Sequence, residues 1–169
     1  MTDKGEDWVI NPEWKEEIKQ AFANNKTIEE LFMDDNFLHT IYECSMYAFD
    51  SFREVQVVID AKEKLFITHG TGGFVWFGDG EEEGMQLPIK CWIHTHPNMT
   101  AYFSGTDWNT IRTWKPMMQS AIVLGGDERQ TNQRMMWTKG EQHTIFFKRG
   151  HNMDNETPTS WKTMESEKV

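Results

Sequence analysis

The sequence predicts a mixed α/β (α+β) fold, a central mixed β-sheet flanked by helices. Three observations carry this. The first half holds helical apolar periodicity. The period then changes abruptly to short β-branched runs. Near the end stands "SAIVLGG", an almost wholly apolar run of the kind that forms a strand buried on both faces.

The elements follow in order. Residues 1–10 read as a polar arm. "NPEWKEEIKQAF" reads as a short helix, with Asn11 as N-cap, Pro12 at the first helical position, and Trp14, Ile18, Ala21 and Phe22 on one face. "NNKTIEELF" restarts a helix, since Thr27 and Glu30 have capping-box spacing. "DDNFLHTIYECSMYAF" is a stronger amphipathic helix, with Leu38, Ile41, Tyr42, Ser45 and Phe49 along one stripe. Strands are expected at 54–60, at "LFITHG" (65–70) and at "FVWFG" (74–78), with "AKEK" and "TGG" as turns. "DGEEEG" reads as a solvated loop. "IKCWIHTH" (89–96) is a strand, and "SGTDWNTIRTW" is a helix that must stop before Pro116. "SAIVLGG" follows, and "RMMWT" and "HTIFFKR" form a hairpin around "KGEQ". The chain from about residue 150 is polar and expected to be loose. Residues 1–35 are expected to be an N-terminal helical extension and residues 150–169 a flexible tail, on either side of the main domain.

Composition narrows the function. A chain of 169 residues suits one domain with a proper core. A formal net charge of −10 argues against binding a phosphate backbone, so no nucleic-acid partner is expected. Two cysteines, Cys44 and Cys91, make no framework of disulfides and fit a reducing compartment. The first residues show no basic segment leading into an apolar one, and no apolar run reaches membrane-spanning length. The expectation is a soluble, cytoplasmic protein with no membrane partner.

The chemistry concentrates in "WIHTHPNMTAYFSGTD", residues 92–107. In a strand, residues two apart share a face, so His94 and His96 aim their imidazoles the same way. Two imidazoles on one face make a natural pair of zinc ligands, and a catalytic zinc takes a third protein ligand and keeps one position open. Pro97 ends the strand pairing. Asp107 is then within reach as the third ligand once the chain turns back. Ser104 and Asp107 also have capping-box spacing, with Asp in the usual Glu position. The two roles are compatible, because a helix start would hold the aspartate in place. Trp92 shares the face of His94, and Trp108 follows Asp107. Either could line a substrate groove, although packing is the ordinary role of both. Cys91 lies in an apolar strand and reads as core.

Taken as a whole, H-x-H-P-x6-S-x-x-D resembles the signature of the JAMM (MPN+) zinc metalloproteases. The resemblance extends over roughly residues 36–149. It includes the helix–loop–strand "FLHTIYECSMYAFDSFREVQVVID", where Glu54 opens the strand at the place of the family's upstream glutamate. It implies a single MPN/JAMM-like domain, similar to the cytidine deaminase-like architecture. It implies a zinc metalloprotease with one zinc per chain, held by His94, His96 and Asp107. Glu54 would be the general base and Ser104 a donor to the developing oxyanion. Glu43, in "YECSMY", remains the alternative base if a strand opens there. The expected activity is hydrolysis of peptide or isopeptide bonds in a protein substrate, a ubiquitin or ubiquitin-like conjugate foremost. The alternatives are a non-catalytic scaffold of the same fold, or a peptidase acting on a small peptide, a cell-wall crosslink or a phage-assembly precursor.

Overall fold

The computed structural model describes residues 10–49, 51–69, 84–126, 133–139, 145–148 and 162–163. Among the described residues three helices come first: α1 (Pro12–Ala21), α2 (Ile28–Phe32) and α3 (Asp35–Tyr47). Each starts where a side chain satisfies an orphan N–H. Asn11 Oδ1 accepts from the Glu13 N–H at 2.8 Å. Thr27 and Glu30 close a reciprocal capping box at 3.1 and 3.2 Å. Asp34 Oδ1 accepts from the Phe37 N–H at 3.1 Å.

The strands among the described residues are β1 (Val55–Ile59), β2 (Leu65–His69), β3 (Cys91–Thr95), β4 (Ser120–Gly125), β5 (Gln133–Thr138), β6 (Ile145–Lys148) and β7 (Lys162–Thr163). They form one mixed sheet in the order β2-β1-β3-β4-β5-β6-β7. All neighbours are antiparallel except β3 and β4, which run parallel. A parallel pair needs a crossover. Helix α4 (Gly105–Trp114) and a 3-10 turn (Lys115–Met117) provide it. The helix gives way at the residue before Pro116, as expected.

Period-two alternation divides the core between the two sheet faces. Val55, Val57, Ile59, Cys91, Ile93, Ile122, Leu124 and Met136 pack with α1, α2 and α3. Val58, Trp92, Ala121, Val123, Met135 and Trp137 pack on the other side with Ile111 of α4. Burial of both faces explains the unbroken apolar run of β4, whose six residues are all buried.

The boundary expected at 35/36 does not divide the core. Ile18, Leu31 and Phe32 are fully buried in the same cluster as Phe37 and Ile41. Arg134, 1% exposed on β5, ties them to the sheet. Its guanidinium donates to the Phe32 carbonyl at 2.7 Å and to Asp35 Oδ1 at 2.9 Å, joining the end of α2 to the start of α3. Lys162–Thr163, within the tail expected to be loose, pair with β6. The strand expected at 74–78 and the loop at 79–83 lie outside the described residues. Among the described residues no helix is long and apolar enough to cross a membrane.

Because α2 fills the shared core, Phe32→Ala is expected to cost about 3–5 kcal/mol, the range for truncating a buried aromatic. Denaturant unfolding against wild type measures it.

Candidate metal centre

The site is built where β3 ends. Trp92 stacks on His94, so the even positions of β3 face α4 while Cys91 and Ile93 face the other way. Pro97 stops the strand, but the ladder reaches one residue past Thr95: the His96 N–H donates to the Leu124 carbonyl at 2.7 Å. The chain then folds back over the end of β4. Asn98 takes a positive φ of 61°, and its N–H donates to Tyr42 Oη at 2.9 Å. The Gly126 N–H donates to the Met99 carbonyl at 2.7 Å, and the Ala101 N–H to Gln133 Oε1 at 3.2 Å. Gly125 permits this approach. A Cβ there would lie 2.5 Å from both the Ala101 nitrogen and the Met99 oxygen.

The fold-back delivers Ser104 as the N-cap of α4. Ser104 Oγ accepts from the Asp107 N–H at 3.1 Å, and Asp107 Oδ2 accepts from the Ser104 N–H at 2.9 Å. The capping box thereby aims Asp107 at the histidines. His94, His96 and Asp107 are all buried, and their ligand atoms lie within 4.8 Å of one another. This group could hold a metal ion. Oδ2 lies 3.0 Å from His94 Nε2 and 3.2 Å from His96 Nε2. The first contact is short enough for a hydrogen bond. Even so, His94 Nε2 makes no hydrogen bond of good geometry. Neither do Nδ1 of His94 and Nδ1 of His96. Burying polar nitrogens without partners is costly, and a cation between the three side chains would remove that cost for the nitrogens facing it. Burial by itself would raise the Asp107 carboxyl pKa. The adjacent His94 and His96 rings and the Ser104 N–H outweigh it, holding the group well below the ordinary carboxylate range and charged.

Glu54 stands immediately before β1. Gln56 is the Cα partner of His94. The ladder ends at that pair, with Glu54 two residues beyond Gln56 and His96 two beyond His94. The strand start is held there by the Val55 N–H, which donates to Thr95 Oγ1 at 2.9 Å. Glu54 is half-buried and is not a member of the ligand group. Glu43, the alternative, is ruled out by its position. It lies within α3, 43% exposed, with Oε2 3.1 Å from His39 Nε2. Ser104 is half-buried beside Asp107.

Trp92 is corrected from a candidate substrate contact to a buried support. It is 0% exposed and its ring lies parallel to His94 at 4.3 Å between centroids. Trp108 is half-buried against Phe103, whose ring is 5.1 Å away. Tyr102 was not singled out by sequence reasoning. It is 41% exposed and meets the His96 ring edge-on at 4.9 Å. Its position in the six-residue spacer after Pro97 was the available signal. Burial pushes the Cys91 and Cys44 thiols up to about 12. Neither is poised as a nucleophile.

Two outcomes are expected. Gly125→Ala forces the returning loop off β4, costing about 1–3 kcal/mol in denaturant unfolding and weakening metal binding in titration. The raised thiol pKa values leave Cys44 and Cys91 protonated at pH 8. Iodoacetamide at that pH should label neither thiol in the native protein and both in urea, as read by mass spectrometry.

Compared with known proteins, the chain matches no family model and no solved structure, so the functional reading stands on the residues of the site.

Proposed function

We propose that this chain is a zinc metalloprotease of the JAMM (MPN+) type, with the cytidine deaminase-like arrangement that the type implies. The reaction proposed is hydrolysis of peptide or isopeptide bonds, with ubiquitin or ubiquitin-like conjugates on lysine as the substrate class. The observation that carries this reading is the buried His94–His96–Asp107 group at the start of α4, with Ser104 in the same turn.

The donor set fits zinc. Two imidazoles and one carboxylate are ligands it accepts, and three protein ligands leave a coordination position for chemistry. Bound there, zinc would supply Lewis acidity and a water whose pKa falls toward ~7. The protein's own groups do the rest. The Glu54 carboxylate, from the residue just before β1, takes the proton from the attacking water and returns it to the leaving amine. It can shuttle the proton because it is not a ligand. The Ser104 oxygen accepts from the Asp107 N–H, which leaves its hydroxyl hydrogen to donate to the oxyanion as negative charge develops. Tyr102, exposed beside His96, and Trp108, half-buried one residue past Asp107, would flank the scissile bond.

Elemental analysis tests the reading. Wild type should carry about one zinc per chain, Asp107→Ala none, and Glu54→Gln the wild-type amount. On a lysine-linked ubiquitin conjugate, Glu54→Gln should lose roughly 10²–10⁴-fold in kcat, the usual worth of a general base. A wild type that takes up no zinc from a micromolar solution would defeat the proposal. A zinc-loaded wild type that cleaves short peptides and no conjugate would move the substrate class to peptides.

A further inference from the structure

A histidine that ligates a metal ordinarily has its second ring nitrogen fixed by a carboxylate, a backbone carbonyl or a water, which sets the rotation of the ring. His94 has no such bond to any described residue. Its Nε2 faces Asp107, and its Nδ1 is buried without a hydrogen bond. A flat surface stands in that place. The Trp92 indole lies 4.3 Å from the imidazole and within 9° of parallel. The indole is wholly buried and is itself anchored. Its N–H donates to Gln56 Oε1 at 3.3 Å.

The strand geometry closes this arrangement. Gln56 is the partner of His94 across β1 and β3, and Trp92 precedes His94 by one step of the alternation. All three side chains therefore lie on one face and brace one another. Rotation of the imidazole out of plane would drive it into the indole. Sliding of the indole would break its bond to Gln56, which is 5% exposed and held by both neighbouring strands.

We propose that Trp92 and Gln56 are positioning residues for His94, setting its ring for metal binding by stacking instead of by a hydrogen bond to Nδ1. This rests on the metal-site reading above. Gln56 is then required as a polar acceptor within a strand otherwise built from Val55, Val57, Val58 and Ile59. Its place in an apolar run has no other role among the described contacts.

The test compares wild type with Trp92→Leu, Trp92→Phe, Gln56→Leu and the packing control Met118→Ala. Met118 is fully buried in the same cluster. A competitive chelator titration reads the zinc Kd. Cobalt(II) in place of zinc gives visible bands that report coordination geometry. The chemical shifts of the His94 ring protons in the metal-free protein report the stack. Trp92→Leu and Gln56→Leu are expected to weaken zinc binding about 10–100-fold, as loss of an outer-shell partner does, and to shift the cobalt bands. Trp92→Phe, which keeps a flat ring, should recover most of the affinity. Met118→Ala should lower the melting temperature and leave Kd and bands unchanged. Unaltered zinc affinity and cobalt bands in Gln56→Leu and Trp92→Leu would overturn the proposal, as would equal losses in Met118→Ala. If Trp92→Leu does not fold, Gln56→Leu, close to isosteric, decides alone. A wild type that binds neither ion defeats the metal-site reading itself. In that case His94 proton shifts that are the same in wild type and Gln56→Leu would separately remove the bracing role.

Discussion

One carboxylate does two jobs. Asp107 Oδ2 accepts the Ser104 N–H that opens α4, and the same oxygen lies between the two imidazoles. Local helix chemistry and long-range site geometry are thereby locked together. The cap fixes where the helix begins. The helix start fixes where the charge sits. The charge sits against rings that β3 can present only because residues two apart share a face. A change to the cap is therefore also a change to the site.

The apparatus that holds this group is largely non-local. The even positions of β3 supply the rings, but the loop between the second histidine and the aspartate is fastened by Tyr42 of α3, Gly126 after β4 and Gln133 of β5. The aromatic shell is similarly dispersed. Trp92 lies under His94, while Tyr102 borders His96 and Phe103 packs on Trp108. Trp92 and Phe103 are buried, whereas Tyr102 is exposed and Trp108 half-buried, so the shell is closed beneath His94 and more open near Tyr102.

How much of this the sequence discloses depends on range. Capping boxes at Thr27 and Ser104, the proline that opens α1 and the shared face of His94 and His96 rest on spacings of two or three residues, and each is found where it was expected. The change of period near residue 54 likewise marks the true start of β1, and it removes Glu43 from the site by keeping it in α3. Contacts between distant segments have no such signature. Nothing in "RMMWT" marks Arg134 as the bolt between α2 and α3, and nothing in "SAIVLGG" singles out Gly125 as the place where another backbone presses in. Trp92 shows the same limit from the other side. Alternation gives its face, but only the packing around it shows that it is sealed from solvent.

The parallel pairing of β3 with β4 has a consequence for how the protein comes into being. Every candidate ligand has been synthesised once residue 107 has left the ribosome. Yet the pieces that fasten them, the Leu124 carbonyl, Gly126 and Gln133, come later in the chain. A nascent chain that ends just past residue 107 thus holds the whole donor set with Tyr42 and β1 but without the later part of the scaffold. Closing the crossover also costs chain entropy before any pairing compensates. The site is therefore complete only when β4 and β5 have joined the sheet, and a cation that binds it favours chains in which they have.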